Sequence, residues 1–267
     1  MCDSDLNPYP GASVTYTFEM QGISFENLSI EIGQYNITEI VFEKNTENES
    51  KKNHYVMRFE FGPTVSLELA DEISESLKDC MFDMLCFHAG GKVVNERKLA
   101  HSLTPRPGEG GNLSAILPSF SLSSELIVGD KKLNEGDIEE IKLNTKKCIN
   151  TSGELQSILR IYRAAFGIND PLSRFLLFYQ IMLIITGDKN QTITDKKILD
   201  IAPETEQTNR PDKPTKKETI YTRLRNEIGH KRDNTDINTT MTEISNCLHD
   251  FQYKIIEKII KDEIKKL

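Results

Sequence analysis

The chain changes its hydrophobic period about halfway along, and this change limits the folds it can adopt. Residues 13–20 alternate apolar and polar side chains, with Val14, Tyr16 and Phe18 on one face, as in a half-buried strand. From residue 134 onwards, apolar residues recur at the three- and four-residue spacing of helices. This order predicts the α+β class, with a β-rich domain at residues 1–130 and an all-α helical bundle at residues 131–267.

Within the first domain, further strands are predicted at residues 23–32, 37–43, 55–61 and 65–69. Polar stretches and the Gly62-Pro63 pair separate them. Residues 71–87 change to helical spacing, so one helix is expected among the strands.

In the second domain, capping signals predict where helices begin. Thr and Glu three residues apart are typical of a capping box, and this pattern occurs at residues 151–154, 215–218 and 240–243. Asp170 followed by Pro171 predicts another helix start, and Gly187 predicts its end. The apolar residues 172–186 between them require burial on most sides. Residues 188–214 are polar and long for a connection, with a short helix expected near residues 196–201.

Charge is unevenly distributed along the chain. Residues 1–130 contain 9 Lys and Arg against 20 Asp and Glu, whereas residues 131–267 contain 24 against 21. Residues 210–232 alone hold 8 basic and 3 acidic residues. A basic segment on an acidic protein favours local binding of a polyanion, and the alternative is a solvated helix face that happens to be basic.

Several functional classes lack support in the sequence. No apolar run has the length of a membrane span, and the acidic, polar start does not resemble a secretory signal. Five scattered cysteines without a C-x-x-C pair predict reduced thiols in a cytoplasmic protein. The histidines and cysteines lack metal-ligand spacing, and no nucleotide-binding glycine motif occurs, so neither a metal nor a cofactor is expected.

Arg225 and His230 are the candidate catalytic residues. Five residues apart on a continuous helix, they would point about 140° away from each other. A helix that ends at Gly229 would let the chain turn and return His230 to Arg225, and Tyr221, one turn earlier, would restrain the arginine. The alternative is an exposed surface arginine and a histidine just beyond a helix end.

The run from Leu224 to Lys231 resembles the signature of the HEPN superfamily, in which an Arg is followed by a small polar residue and then by a His. Here the polar residue is Asn226, and four residues separate Arg225 from His230. The apolar helix after Asp170-Pro171 is similar to the one preceding the motif in MauJ-like members of that superfamily. The resemblance covers roughly residues 135–267.

The resemblance implies a metal-independent endoribonuclease that acts as a homodimer through its helical domain, with two Arg/His sets in one cleft. Arg225 and His230 would be catalytic and Asn226 would orient the site. Further RNA contacts are predicted for Tyr221, Arg223, Lys231, Arg232, Lys216 and Lys217. The same resemblance implies a role as a toxin or in antiviral defence. The first domain lies outside the resemblance, and we expect this acidic, β-rich domain to regulate the nuclease, to recognise a target or to bind a protein or ligand partner. The alternative is a catalytically silent HEPN-like module for dimerisation and RNA or nucleotide binding.

Overall fold

The chain forms two compact units, Met1–Asn150 and Thr151–Leu267. The computed structural model describes residues 11–45, 53–63, 65–103, 113–116, 131–150, 153–187, 190–211, 213–229 and 236–267. Helix α2 (Glu135–Ile149) belongs to the first unit because it packs against the long helix α1 (Leu67–Ala89). The sequence-based boundary at residue 131 instead placed residues 131–150 in the helical domain, because the helical spacing of apolar residues begins there.

A six-stranded antiparallel sheet is the framework of the first unit, with strand order β3-β4-β5-β1-β6-β7. Its strands are β1 (Ala12–Gln21), β3 (Asn27–Ile30), β4 (Ile37–Lys44), β5 (His54–Phe61), β6 (Lys92–Leu103) and β7 (Leu113–Ile116). Two short strands, β2 (Ile23–Ser24) and β8 (Lys131–Lys132), pair in parallel.

The strand alternation read in the sequence is confirmed by the burial of β1. Tyr16 and Phe18 point into the core, where Phe18 lies 5.0 Å from the ring of Phe82 on α1 and 5.7 Å from that of Tyr55 on β5. The buried face of the sheet is therefore covered by α1, and aromatic side chains fill the space between them.

Two expectations about this unit differ from the structure. Residues 65–69 were predicted to form a strand, but α1 begins at Leu67, and the Ser66 hydroxyl caps it by accepting from the Leu69 N–H. Strand β6 was not predicted, because charged residues interrupt its apolar alternation. Its long pairing with β1 brings it into the sheet despite this weak local pattern.

The second unit is mainly helical, so the predicted α+β class is confirmed. Its helices are α3 (Gly153–Gly167), α4 (Pro171–Thr186), α5 (Gln191–Ile201), α6 (Ile220–Gly229), α7 (Ile237–Asp250) and α8 (Glu257–Lys265). A π-helical segment, Phe251–Ile256, connects α7 directly to α8. None of the helices in the described ranges combines the length and apolarity needed to cross a membrane.

Helix α4 is the centre of this unit, contacting α3, α5, α6, α7 and the π-helical segment. The Asp170 carboxylate caps it by accepting from the Ser173 N–H, Pro171 occupies the first turn, and Gly187 ends it in the left-handed conformation. These are the start and stop signals that the sequence predicted.

A β-hairpin lies where the sequence predicted the end of a polar connection and the start of a helix. Strand β9 (Gln207–Arg210) pairs antiparallel with β10 (Lys213–Thr219), so the predicted helix start at residues 215–218 is wrong. Residues 240–243 lie inside α7, whose N-cap is Asp236. The box at residues 151–154 begins outside the described residues.

The buried hydroxyl of Tyr55 allows the packing of the sheet to be tested. This hydroxyl accepts a hydrogen bond of 3.0 Å from the buried Phe25 N–H. Tyr55→Phe leaves that N–H without this acceptor and should lower the free energy of unfolding by about 1–3 kcal/mol. The control is Tyr35→Phe, because Tyr35 is 54% exposed. Chemical denaturation in which both variants match wild type would contradict this packing.

Candidate functional site

The candidate site is built around α6, which begins immediately after strand β10. The Thr219 hydroxyl accepts from the Thr222 N–H at 3.3 Å, as an N-cap does. Asp195 on α5 accepts from both the N–H and the hydroxyl of Thr219, at 3.0 and 2.8 Å. A buried carboxylate on one helix therefore fixes the first turn of another.

Beside this cap lies a second buried carboxylate, that of Glu218, which is 1% exposed. Its Oε2 accepts from Gln191 Nε2 on α5 at 2.7 Å and from Asn226 Nδ2 on α6 at 3.2 Å. An ionised carboxylate is tolerated in such surroundings only when it is well hydrogen-bonded. Glu218 consequently joins β10, α5 and α6.

These contacts determine which way the Asn226 amide points. The side chain is 6% exposed, and its Nδ2 donates to Glu218. Its Oδ1 is therefore the atom that accepts from Arg225 Nη1, at 3.1 Å. Since an amide has distinct donor and acceptor ends, Glu218 acts on Arg225 through Asn226.

The Arg225 guanidinium is also held by an aromatic ring. Its Cζ lies 6.0 Å from the ring centroid of Tyr179 on α4, at the limit of a cation–π contact. Burial raises the pKa of Tyr179 to about 12, against the smaller opposing effect of a hydrogen bond with Thr222. Tyr179 therefore stays neutral at physiological pH, and Arg225 is half-buried between the ring and an amide.

Arg223, two residues earlier, has a different environment. Its Nη1 lies 3.0 Å from Glu227 Oε1, and its Nη2 pairs with Glu243 on α7. Glu227 also accepts from the Thr240 hydroxyl at 3.0 Å. Arg223 thus connects α6 to α7 and forms ion pairs with two carboxylates.

The other predicted site residues are placed as follows. Tyr221 is buried and stacks on Phe251, with 4.3 Å between the ring centroids. The aromatic ring beside Arg225 is that of Tyr179 and not, as expected, that of Tyr221. Lys216 and Lys217 are exposed on β10. Helix α6 is described as far as Gly229, and His230, Lys231 and Arg232 lie outside the described residues.

The sequence did not predict five residues of this site, namely Glu218, Gln191, Tyr179, Asp195 and Thr219. The signal that could have indicated Glu218 is an acidic residue that follows Lys216 and Lys217 and lies directly before an amphipathic helix. Within the described ranges, no group of three His, Cys, Asp or Glu is placed to hold a metal ion.

Substituting Asn226→Asp tests the buried network. The new carboxylate would lie close to that of Glu218, and two adjacent buried carboxylates cannot both ionise easily. One of them should therefore have a raised pKa in the folded protein. A carboxyl group whose pKa is raised by folding stabilises the folded state at low pH, where it is protonated. This contribution to the free energy of unfolding is lost as the pH rises through the pKa of the folded state.

We expect Asn226→Asp to lower the free energy of unfolding by about 2 kcal/mol at pH 7, and by less near pH 4. The control is Asn238→Asp on the exposed part of α7, which should match wild type within about 0.5 kcal/mol. Denaturation curves with the same deficit at both pH values would argue against the network.

Comparison with known proteins gives one match, to a family model described as Methylamine utilization protein MauJ, over residues 158–260. No curated protein matches the chain, and no solved structure does. The matched range includes α4, α5, the hairpin, α6 and α7. The resemblance to MauJ-like proteins is confirmed for this part of the chain, and the wider HEPN assignment stays a prediction.

Proposed function

We propose that the chain is a metal-independent endoribonuclease of the HEPN type, acting through Arg225 and His230. The observation that carries this proposal is the restraint on Arg225, which a buried amide and an aromatic ring hold near the end of α6. A guanidinium held in place before substrate binds can stabilise charge on a phosphate without reorganisation. His230 follows Gly229 directly in the sequence.

The chemistry follows from the residue types. RNA supplies its own nucleophile, the 2′-OH, and a neutral imidazole can take its proton. The oxygen then attacks the adjacent phosphorus, the 5′-oxygen leaves, and an imidazolium returns a proton to that leaving group. Arg225 would offset the charge that grows on the phosphoryl oxygens. The products are a 2′,3′-cyclic phosphate and a 5′-hydroxyl.

A homodimer through the helical unit belongs to this proposal. One histidine cannot act as base and acid in the same step, whereas two Arg/His sets in one cleft can divide these roles. Asn226 is then a positioning residue that acts through Arg225, since its side chain is buried and bonded to Glu218. The β-rich first unit would regulate the nuclease or recognise a target, as in a toxin or a defence effector.

Exposed lysines on the hairpin support binding of a polyanion next to the site. Lys213, Lys216 and Lys217 are exposed on β10, and none of them has an ion pair with any residue in the described part of the chain. The strand runs directly into α6, which carries Arg225. The ammonium groups of these lysines would therefore contact the phosphates of a single RNA strand that reaches the site.

A second candidate function, a catalytically silent HEPN-like module, has an observation in its favour. Arg223 is matched by Glu227 and Glu243, and Arg225 bonds to Asn226, so both arginines also make contacts that hold the fold together. Such a protein would bind RNA or nucleotide, or dimerise, without cutting. Protein that binds RNA and leaves it intact over hours would favour this second function.

The nuclease proposal predicts RNA cleavage in the presence of EDTA. His230→Ala and Arg225→Ala should each reduce the rate at least ~10²-fold, the usual scale for losing a general acid or base or a donor to the developing oxyanion. His249→Ala is the control, because His249 lies exposed on α7. DNA and 2′-O-methyl RNA should stay intact. Equal cleavage by wild type and His230→Ala would refute the assignment.

Binding can be tested separately with 2′-O-methyl RNA, which cannot be cut by this route. If Lys216 and Lys217 each contact one phosphate, replacing both with Ala should reduce the slope of log affinity against log salt by about 1.4. The matched control replaces Lys265 and Lys266, which already pair with Asp262 and Glu263. An unchanged slope for the hairpin variant would remove these lysines from the RNA site.

A further inference from the structure

Two cysteines distant in sequence meet in the core of the first unit. Cys80 lies on α1 and Cys148 in the last turn of α2, and their Sγ atoms are 2.9 Å apart. The two side chains are 4% and 1% exposed, and 68 positions separate them in the chain. The packing of α1 against α2 therefore holds two thiols in direct contact.

We propose that Cys80 and Cys148 are a redox modification site, which forms a reversible intramolecular disulfide when the protein meets a peroxide. The two sulfur atoms are only about 0.9 Å further apart than in an S–S bond. A small movement of one helix turn would close that gap. The disulfide would form whether or not the chain cleaves RNA.

The reaction balances with hydrogen peroxide as oxidant. One thiol, as its thiolate, attacks a peroxide oxygen, giving a sulfenic acid and releasing water after proton transfer. The second thiol then attacks the sulfenic sulfur, forms the S–S bond and releases a second water. The two thiols lose two protons and two electrons in total, and the peroxide is reduced to two waters. A dithiol such as dithiothreitol reverses the oxidation by thiol–disulfide exchange.

Cys148 is 1% exposed, so a peroxide would reach it through transient opening of the end of α2. It is the last residue but one of α2 (Glu135–Ile149), and the following Asn150 N–H bonds back to the Lys147 and Cys148 carbonyls. Terminal helical turns open more readily than helix interiors. Because the second thiol is already in contact, condensation can overtake further oxidation of a sulfenic acid.

Cys86 and Cys247, the other cysteines in the described part of the chain, are placed differently. Cys86 lies on α1 six residues after Cys80, which places it about 240° around the helix axis and so on a different face. Cys247 lies on α7 in the second unit, and its Sγ donates to the Ile244 carbonyl at 3.6 Å. Cys247 is the one cysteine in the sequence of the second unit, so that unit offers no second thiol to form a disulfide with it.

The test uses the wild-type full chain. It is treated with hydrogen peroxide, its remaining thiols are alkylated, and peptides are mapped by mass spectrometry without reduction. We expect a linked peptide pair containing Cys80 and Cys148 that has lost two hydrogens and is separated by dithiothreitol. The melting temperature of the first unit should rise by about 5 °C or more, because the link closes a long loop.

Single variants make the assignment specific. Cys80→Ser and Cys148→Ser should each abolish the linked peptide and the melting shift, while Cys247→Ser should keep both. Recovery of Cys80 and Cys148 as separately alkylated thiols, as separate sulfinic or sulfonic acids, or linked to other cysteines would overturn the proposal. Peptide mapping of the wild-type protein distinguishes these outcomes even where a variant does not fold.

Discussion

The burial of one carboxylate, that of Glu218, organises the candidate site. A charge removed from water must be compensated by hydrogen bonds, and here the donors come from Gln191 on α5 and Asn226 on α6. Meeting this requirement fixes where β10 ends, how α5 approaches it and which way the Asn226 amide points. The position of Arg225 then follows, because the acceptor end of that amide is directed at its guanidinium.

The two arginines on helix α6 have different neighbours. Arg223 and Arg225 are two residues apart, so they point about 200° from each other around the helix axis. Arg223 faces two carboxylates, Glu227 and Glu243, and holds α6 to α7. Arg225 contacts the Tyr179 ring and the Asn226 amide. The two arginines of this short helix therefore make different contacts, and the nuclease proposal assigns the phosphate to Arg225.

The sequence predicted the fold well where the signal was local. The alternation of β1 and the Asp170-Pro171 start and Gly187 end of α4 depend on nearby residues, and all are found. The prediction failed at residues 215–218, where a local capping pattern is overridden by pairing with β9. Strand β10 has mostly exposed, polar residues, so no apolar alternation marked it. Its formation depends on a partner strand that the local pattern could not reveal.

The candidate site was predicted only in part for the same reason. A short motif identified Arg225 and Asn226, but their partners Tyr179, Gln191 and Glu218 come from three other elements. Buried Glu218 looks in the sequence like any charged residue in a basic stretch. The contact between Cys80 and Cys148 is equally non-local, because it depends on how α1 and α2 pack.

Glu218 and Asn226 act as one unit in holding Arg225. A double-mutant cycle on the free energy of unfolding, with Glu218→Ala, Asn226→Ala and the double variant, measures this coupling directly. We expect the two single losses together to exceed the loss in the double variant by about 1 kcal/mol or more, because each single change leaves the buried polar group of the other residue without its partner. Additivity within about 0.5 kcal/mol would contradict it.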